Sequence, residues 1–486
     1  MMGGSPAWAR LLVAGVTIAS IAQTAAQGAS CVTDYNESAG VDYFPEKAEI
    51  KYATTFSVEY FPSYKVLNTT LYNVVTTYIL YQCGTPQPDM GGMEVQDYFS
   101  VPVSRVATGT PAHIPRIELL GERDTIKAYA GSAETVVSPC MHEGLADGSI
   151  VEAVITNEIC GNSVNNSALI ELDIEVTFSD YITISVGCDG DSEPLYNGMG
   201  FFSYSEQGNN SGLAEGEAIK LFSLFYNAEE KGNEVFGEIE ELWSCTTNNA
   251  QGCSLRLNDV PEVAWIPYVP TDPNYPSFAK GWDQPKSDVY YDTAVKNAGG
   301  SLLICPPPSD EGSFMTDEEM VDCFKDASVC VFAANYSRVE AVMNATALEQ
   351  LSCVQNDNVY DIELSSTDAW FEAKAVEPHV LVEDMVVVLH GEDFNYGIGD
   401  YERLLLRHVA TEESGSGAYY SDNGCPASLD AHEVRGECEY IIDFTTCDTA
   451  IESDGFASPA SRAVPSIFTA LLAVAALVGA AMMISR

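Results

Sequence analysis

Hydrophobic and polar positions change rhythm several times along the chain. Between residues 30 and 100 they alternate, in Phe56-Ser-Val-Glu-Tyr60 and Tyr64–Asn68, and Tyr72–Gln82 is rich in β-branched and aromatic residues. That is the period of a half-buried strand, and it predicts a small β-hairpin layer at the N-terminus. From 101 to 190 short apolar runs are separated by helical stretches. Strand Pro102–Ala107, turn Thr108–His113, helix Ile114–Leu120 and strand Thr125–Tyr129 come first; a helical stretch near Ala168–Phe178 and strand Tyr181–Val186 follow. Strands alternating with helices predict βαβ units and a parallel sheet.

The strongest helical signal begins at Leu213. Val235, Phe236, Ile239, Leu242 and Trp243 form one apolar stripe, extended toward the N-terminus by Ala218, Ile219, Phe222 and Phe225. A single backbone helix over 213–245, unbroken at Gly232, would be long enough to brace two halves of a molecule. The βα alternation then resumes: strand Val263–Val269, helix Asp288–Asn297 ended by Gly299-Gly300, strand Ser301–Cys305, and helix Thr316–Lys325 with Thr316 and Glu319 as a capping box. Strand Val329–Ala333, helix Arg338–Leu351, strand Val359–Ile362 and helix Val376–His390 complete it. The fold class is α/β: two Rossmann-like lobes joined by one long helix, with a β-hairpin layer in front and a disulfide-rich extension behind. The divisions are a signal peptide (1–29), an N-terminal lobe (30–212), the connecting helix (213–245), a C-terminal lobe (246–392), a Cys-containing extension (393–452) and a C-terminal anchor signal (453–486).

The two ends change the picture of where the chain works. Arg10, the apolar run Leu11–Ile21 and small residues near Ala26 read as a cleaved secretory signal. Ala463–Ile484 is almost wholly apolar and follows the small residues of Ser453–Ser458, a layout that fits a GPI signal or a single transmembrane helix. The body is therefore expected outside the cell or in a lumen, tethered at its C-terminus. Fourteen cysteines without a CxxC pair point to disulfides rather than a zinc ribbon or thioredoxin-like site. The extension holds three, Cys425, Cys438 and Cys447, so at least one of them pairs elsewhere or stays free. Sequons at Asn36, Asn68, Asn165, Asn209, Asn335 and Asn344 are candidate N-glycosylation sites and expected at the surface.

Seventy-one acidic against 22 basic residues give a net charge of −49. This repels nucleic acid and anionic lipid, so neither is an expected partner. No HExxH, P-loop, GxSxG or strand-borne GxGxxG is present. The six histidines form no metal-ligand cluster. The expectation is a binding protein and not an enzyme, with no catalytic residues, no metal and no resident cofactor.

Several blocks carry a resemblance. Val101-Pro-Val-Ser-Arg-Val106 with Ile117-Glu-Leu-Leu-Gly121, Leu213–Lys220, Asn297-Ala-Gly-Gly300, Asp368-Ala-Trp-Phe-Glu372 and Pro378–Asp384 occur in an order that resembles the class III solute-binding proteins. That family delivers vitamin B12, ferric siderophores and zinc or manganese to bacterial importers, and the likeness covers roughly 50–392. With an anchor and sequons added, the chain looks like the algal cobalamin acquisition proteins. The resemblance implies a ligand held between lobes at strand ends. Four loops are then candidates: Thr108–His113, Gly200–Ser205, Ala279–Trp282 and Ala369–Glu372. Within and beside them, Trp282, Trp370, Phe202 and Phe371 offer aromatic faces for a flat corrin. Thr110, His113, Tyr129 and Tyr204 offer polar contacts. Cobalamin is the first ligand expected, carried as cargo to an unknown transporter or endocytic partner. A ferric siderophore, which would use Tyr129, Tyr204 and Tyr291, is the alternative on the same scaffold. An adhesion or structural glycoprotein is the alternative of another class.

Overall fold

The computed structural model describes residues 31–444, apart from 72–73, 158–160, 180–184, 187–191, 194–197, 201–210, 256–259, 270–280, 283–289, 307–314, 343–344, 392–396, 399–400, 418, 421–423, 426–432 and 442–443. The terminal targeting segments lie outside these residues. Among the described residues no helix is long and apolar enough to cross a membrane.

Four strands form the first layer: β1 (Phe56–Tyr60), β2 (Tyr64–Leu71), β3 (Val74–Gln82) and β4 (Asp97–Val101). β1 to β3 pair antiparallel, as the alternation predicts, while β4 joins β3 in parallel through Tyr78↔Asp97. The layer is thus more than a hairpin. The bridge Cys31–Cys83 and the bond from Val32 N to Cys83 O at 2.8 Å tie the chain start to the end of β3.

The next elements are β5 (Val106–Thr108), α1 (Ile114–Leu119), β6 (Ile126–Tyr129), α2 (Pro139–Asp147) and β7 (Val151–Glu152). After the hairpin β8 (Val154–Asn157) and β9 (Gly161–Val164) come α3 (Asn166–Glu171) and β10 (Val176–Ser179). The short β11 (Ser185–Val186) pairs with β12 (Ser192–Glu193), and β13 (Gly198–Gly200) follows. The first parallel sheet has the order β13-β10-β5-β6-β7. Two expectations fail here. The strand read over Pro102–Ala107 starts only at Val106, because Pro102 has no N–H and the amides of Val103, Ser104 and Arg105 donate to Phe225 O and the Glu175 carboxylate. The helix read near Ala168–Phe178 stops at Glu171, because Asp173 takes a left-handed turn (φ 53°) and Val176, Thr177 and Phe178 enter the sheet as a fully buried strand. Over so few residues the pattern Val176-Thr-Phe-Ser179 does not separate a buried strand from one side of a helix.

The bracing helix is also broken, and not at Gly232. α4 (Gly212–Gly216) and α5 (Ile219–Tyr226) are short, and α6 (Glu229–Ser254) is the long element. At 1.5 Å per residue its 26 residues span about 39 Å. The break falls at Asn227, left-handed at φ 52°. Its amide is held there, accepting from Lys65 Nζ at 2.9 Å and donating to Gln82 Oε1 at 2.8 Å. A Cβ at Gly232 would lie 2.6 Å from Ser223 Oγ, so glycine here permits close packing of α5 on α6. Val235, Phe236, Ile239 and Trp243 of the stripe are buried as the spacing predicts, while Leu242 is only partly buried.

The second sheet has the order β17-β14-β18-β19-β20 and is parallel except for its edge strand β20. Its strands are β14 (Glu262–Ile266), β17 (Ser301–Leu302), β18 (Val329–Phe332), β19 (Val359–Asp361) and β20 (Arg407–His408), with a separate pair β15 (Tyr268–Val269) and β16 (Gly281–Trp282). Helix α7 (Tyr290–Asn297) stops where expected, its expected start at Asp288 lying outside the described residues, and α8 (Asp317–Phe324) carries the expected Thr316–Glu319 capping box. The helix predicted over Arg338–Leu351 is instead α9 (Tyr336–Val342) and α10 (Ala345–Leu348), followed by α11 (Ser352–Gln355). Last come α12 (Thr367–Ala373) and α13 (Pro378–His390). α13 is buried on nearly every side, His379, Glu383 and Asp384 included, and packs on both α6 and α7; the Asp384 carboxylate is accommodated there by accepting from the amides of Leu404, Leu405 and Leu406.

The Cys-containing extension folds back over this body. It supplies β20, antiparallel on β19, where Arg407 Nε donates to the buried Asp361 at 2.9 Å. Two of its three cysteines bridge to distant elements: Cys425 to Cys140 on α2 and Cys438 to Cys245 on α6. Cys305–Cys323 ties the segment after β17 to α8, and the buried Cys330–Cys353 ties the central strand β18 to α11.

Candidate functional site

A cleft of about 230 Å³ opens where the C-terminal ends of the two sheets meet. Its first wall is the loop after β5, Thr110-Pro-Ala112, with Thr135 from the loop after β6. Gly109 begins this loop by donating to Phe178 O at 2.7 Å, which holds it against the end of β10. Pro111 fixes the backbone at the entry to a short turn of helix, Pro111–His113, that runs into α1.

The second wall is α12 and the residues after it: Asp368, Phe371, Lys374 and Ala375. Ser366 starts α12 in a left-handed conformation (φ 101°) and caps it, accepting from Ala369 N at 3.2 Å. On a helix, neighbouring residues point about 100° apart. Phe371 therefore reaches the cleft and Trp370 turns into the core, where it is 1% exposed. Trp370 stacks with Trp265 and Tyr291, and Trp265 lies 4.4 Å from the Tyr291 ring at 15°. This corrects the expectation of a Trp370 ring offered to a ligand.

Lys374 connects this buried stack to the cleft. It is nearly buried, and its ammonium donates to the Tyr291 hydroxyl at 2.8 Å. The same nitrogen sits 5.1 Å from the Tyr291 ring centre and 5.4 Å from that of Trp370, a favourable place for a cation with little water around it.

The other expected residues separate into three groups. Thr110 and Phe371 line the cleft. His113 and Tyr129 are buried behind it: the His113 ring packs 5.1 Å from Phe222, and the Tyr129 hydroxyl meets Thr135 Oγ1 at 3.1 Å. Tyr129 thus supports a lining residue without being one. Phe202 and Tyr204 lie outside the described residues, and for Trp282 only the strand pairing with Tyr268 is described. The reading of the sequence missed Thr135, Lys374 and Ala375. Asp368 stands in a block that carried the family resemblance, but nothing marked it as a lining residue.

Two buried carboxylates flank the cleft. Glu372, on α12, accepts from Val137 N at 2.8 Å and from Tyr420 Oη at 2.7 Å. Burial foremost, with Glu118 and Asp368 nearby, pushes it up to about 8 against the lowering effect of these two bonds. Glu118, on α1, accepts from Ser138 Oγ at 2.5 Å and is pushed up by burial to about 7. A third carboxylate, Glu377, behaves differently. Burial pushes it up too, but Arg435 pairs with it and, with His379 beside it, carries it below the ordinary range. Tyr419 donates to the same carboxylate at 2.6 Å.

A guanidinium ties the walls together. Arg116, fully buried on α1, donates to Ala112 O at 2.6 Å and to Ala375 O at 2.7 Å. Among the described residues no group of three or more His, Cys, Asp or Glu is placed to hold a metal ion. The cleft can receive an organic molecule against Pro111, Ala112, Phe371 and Ala375, with Thr110, Asp368 and Lys374 as polar contacts.

No family model matches the chain, and no curated protein does. Among solved structures, the siderophore-binding protein BauB, bound to two acinetobactins and ferric iron, overlays with a TM-score of 0.42 at 12% identity over 67% of this chain and 99% of its own. IsdE of S. aureus complexed with heme gives 0.40 at 14% over 59% and 98%. The periplasmic vitamin B12-binding protein BtuF of Vibrio cholerae gives 0.36 at 12% over 59% and 97%. Likenesses of this size carry no argument about ligand or fold.

Proposed function

We propose that the chain is an extracytoplasmic binding protein whose two sheet halves act as lobes and hold an organic nutrient, cobalamin foremost, in the cleft between them. One observation carries the reading. The cleft is walled on one side by the loops after β5 and β6 of the first sheet and on the other by α12, which follows β19 of the second, and open α/β sheets bind ligands in crevices outside their strand ends. Its lining is mainly apolar with few polar groups, the usual composition of a small-molecule site. The residue blocks that resemble the class III solute-binding proteins supply the ligand class, and the expected signals at the two chain ends supply a membrane-tethered setting like that of the algal cobalamin acquisition proteins.

The cleft is smaller than a corrin, so this ligand requires the walls to part on binding. Arg116 and the extension limit that motion, and the mechanism is a small opening and reclosure with no covalent chemistry. A ferric siderophore has less support. Two of the tyrosines available for it, Tyr129 and Tyr291, are buried with their hydroxyls bonded to Thr135 and Lys374.

Isothermal titration of the full chain with cyanocobalamin, against a ferric hydroxamate control, tests the proposal. Saturable heat with cobalamin, weakened in Phe371→Ala, is the expected result. Heat with the hydroxamate alone changes the nutrient, and silence with both removes the receptor reading in favour of an adhesion role.

A further inference from the structure

A second cavity of about 250 Å³ lies on the N-terminal layer and is lined by aromatic rings. Phe61 and Tyr64 stack at 4.5 Å and 8° where β1 turns into β2, and Tyr35 and Tyr43 stand across from them, 6.3 Å apart. The walls are joined by a backbone bond from Tyr43 N to Pro62 O at 2.9 Å, and Phe61 N donates to Tyr64 O at 2.8 Å to close the turn that forms one of them. The cavity is smaller than a drug-sized site and suits a single ring.

Asn36 is part of the same wall. It heads the triplet Asn36-Glu-Ser38, is exposed, and caps a short turn of helix, Glu37–Ala39. Its Oδ1 accepts from Ser38 N at 3.1 Å. That bond holds the amide by its oxygen and leaves Nδ2, the atom that takes the sugar, without a hydrogen bond among the described residues.

We infer that Asn36 carries an N-linked glycan whose first sugar ring lies in this groove, its C–H face against Tyr43 and Tyr64. The contact of one sugar ring with an aromatic face is individually weak. Attachment a few bonds away makes it intramolecular, and tethering of this kind reaches effective concentrations on the order of millimolar, which a free sugar would not supply. The inference requires entry into the secretory route and does not depend on the ligand of the cleft.

The test uses the full chain secreted from a eukaryotic host. Peptide mass spectrometry reads occupancy at Asn36, and thermal midpoints are measured for the wild type, Asn36→Gln, Tyr64→Ala and the double variant. The expected result is an occupied Asn36 and a midpoint loss from Asn36→Gln that shrinks when Tyr64 is already alanine. In parallel, peptide N-glycosidase should release the Asn36 glycan several-fold more slowly from the native wild type than from the denatured chain. If Tyr64→Ala fails to fold, that comparison decides. An empty Asn36, additive midpoints, or equal native and denatured release rates would each overturn the inference. Cobalamin titration of Asn36→Gln keeps the two proposals apart, because loss of the groove glycan leaves the cleft unchanged.

Discussion

Val137 N–H donates to Glu372 Oε1 at 2.8 Å, so the loop before α2 in the first half is bonded directly to α12 in the second. The other carboxylate oxygen takes the Tyr420 hydroxyl of the extension. Three separate parts of the chain therefore meet at one buried side chain beside the cleft.

The proton on that side chain sets a pH dependence. Glu372 holds its proton up to about 8 in the fold and Glu118 up to about 7, whereas an unfolded glutamate releases it near 4.5. The folded state binds more protons between those limits, so this contribution to stability is full at the acid end and falls as pH rises through 5 to 8. Thermal midpoints of wild type and Glu372→Gln across pH 4.5–9 (the range is about that of the shifts) should differ by a slope of that sign. Parallel curves would mean that Glu372 has no such role.

Trp370 and Phe371 should fail in opposite ways. Trp370→Ala empties the centre of an aromatic stack and is expected to lower unfolding free energy by about 3–5 kcal/mol, as measured by urea denaturation. Phe371→Ala should leave the urea midpoint nearly unchanged and weaken ligand binding. The reverse pattern would place the ligand on the other side of α12.

Arg116→Met should loosen the cleft. It strips donors from the carbonyls of Ala112 and Ala375 and leaves Glu215 without the nearby cation. Breaking a buried charged contact typically costs about 3–5 kcal/mol. Amide exchange in 110–116 and 373–376 should accelerate more than in α8. A uniform change would show that Arg116 acts on the whole fold and not on the junction.

Gly232→Ala is expected to destabilise, although alanine is worth roughly 1 kcal/mol more than glycine within a helix. The new Cβ would meet Ser223 Oγ at 2.6 Å and its Cβ at 2.8 Å, both buried. Adding Ser223→Gly should recover part of the loss in urea melts. A stabilised single variant would show that α5 and α6 can move apart freely.

Much of the fold was legible because periodicity and end signals agree at many places. The Thr316 capping box, the glycines after Asn297 and the stripe from Val235 to Trp243 each mark local rules that packing does not override. The break at Asn227 was not legible, since its left-handed turn is fixed by Lys65 and Gln82, far away in sequence. Val176–Ser179 was misread because a buried central strand and one side of a helix look alike over four residues. At the cleft, Thr110 and Phe371 followed from strand-end loops. Trp370 did not, because a tryptophan in a stretch read as a polar loop gives no sign of which way a short helix will rotate it. Lys374 was hidden for the opposite reason: a lone lysine reads as solvated until the rings of Tyr291 and Trp370 are placed around it.

The bridges Cys140–Cys425 and Cys245–Cys438 also impose an order on biogenesis. Every strand of the first sheet, and α6 itself, leaves the ribosome long before the partners of Cys140 and Cys245 exist. Through that interval both thiols wait unpaired, open to capture by an earlier neighbour. Neither bridge can close before the extension itself has been made.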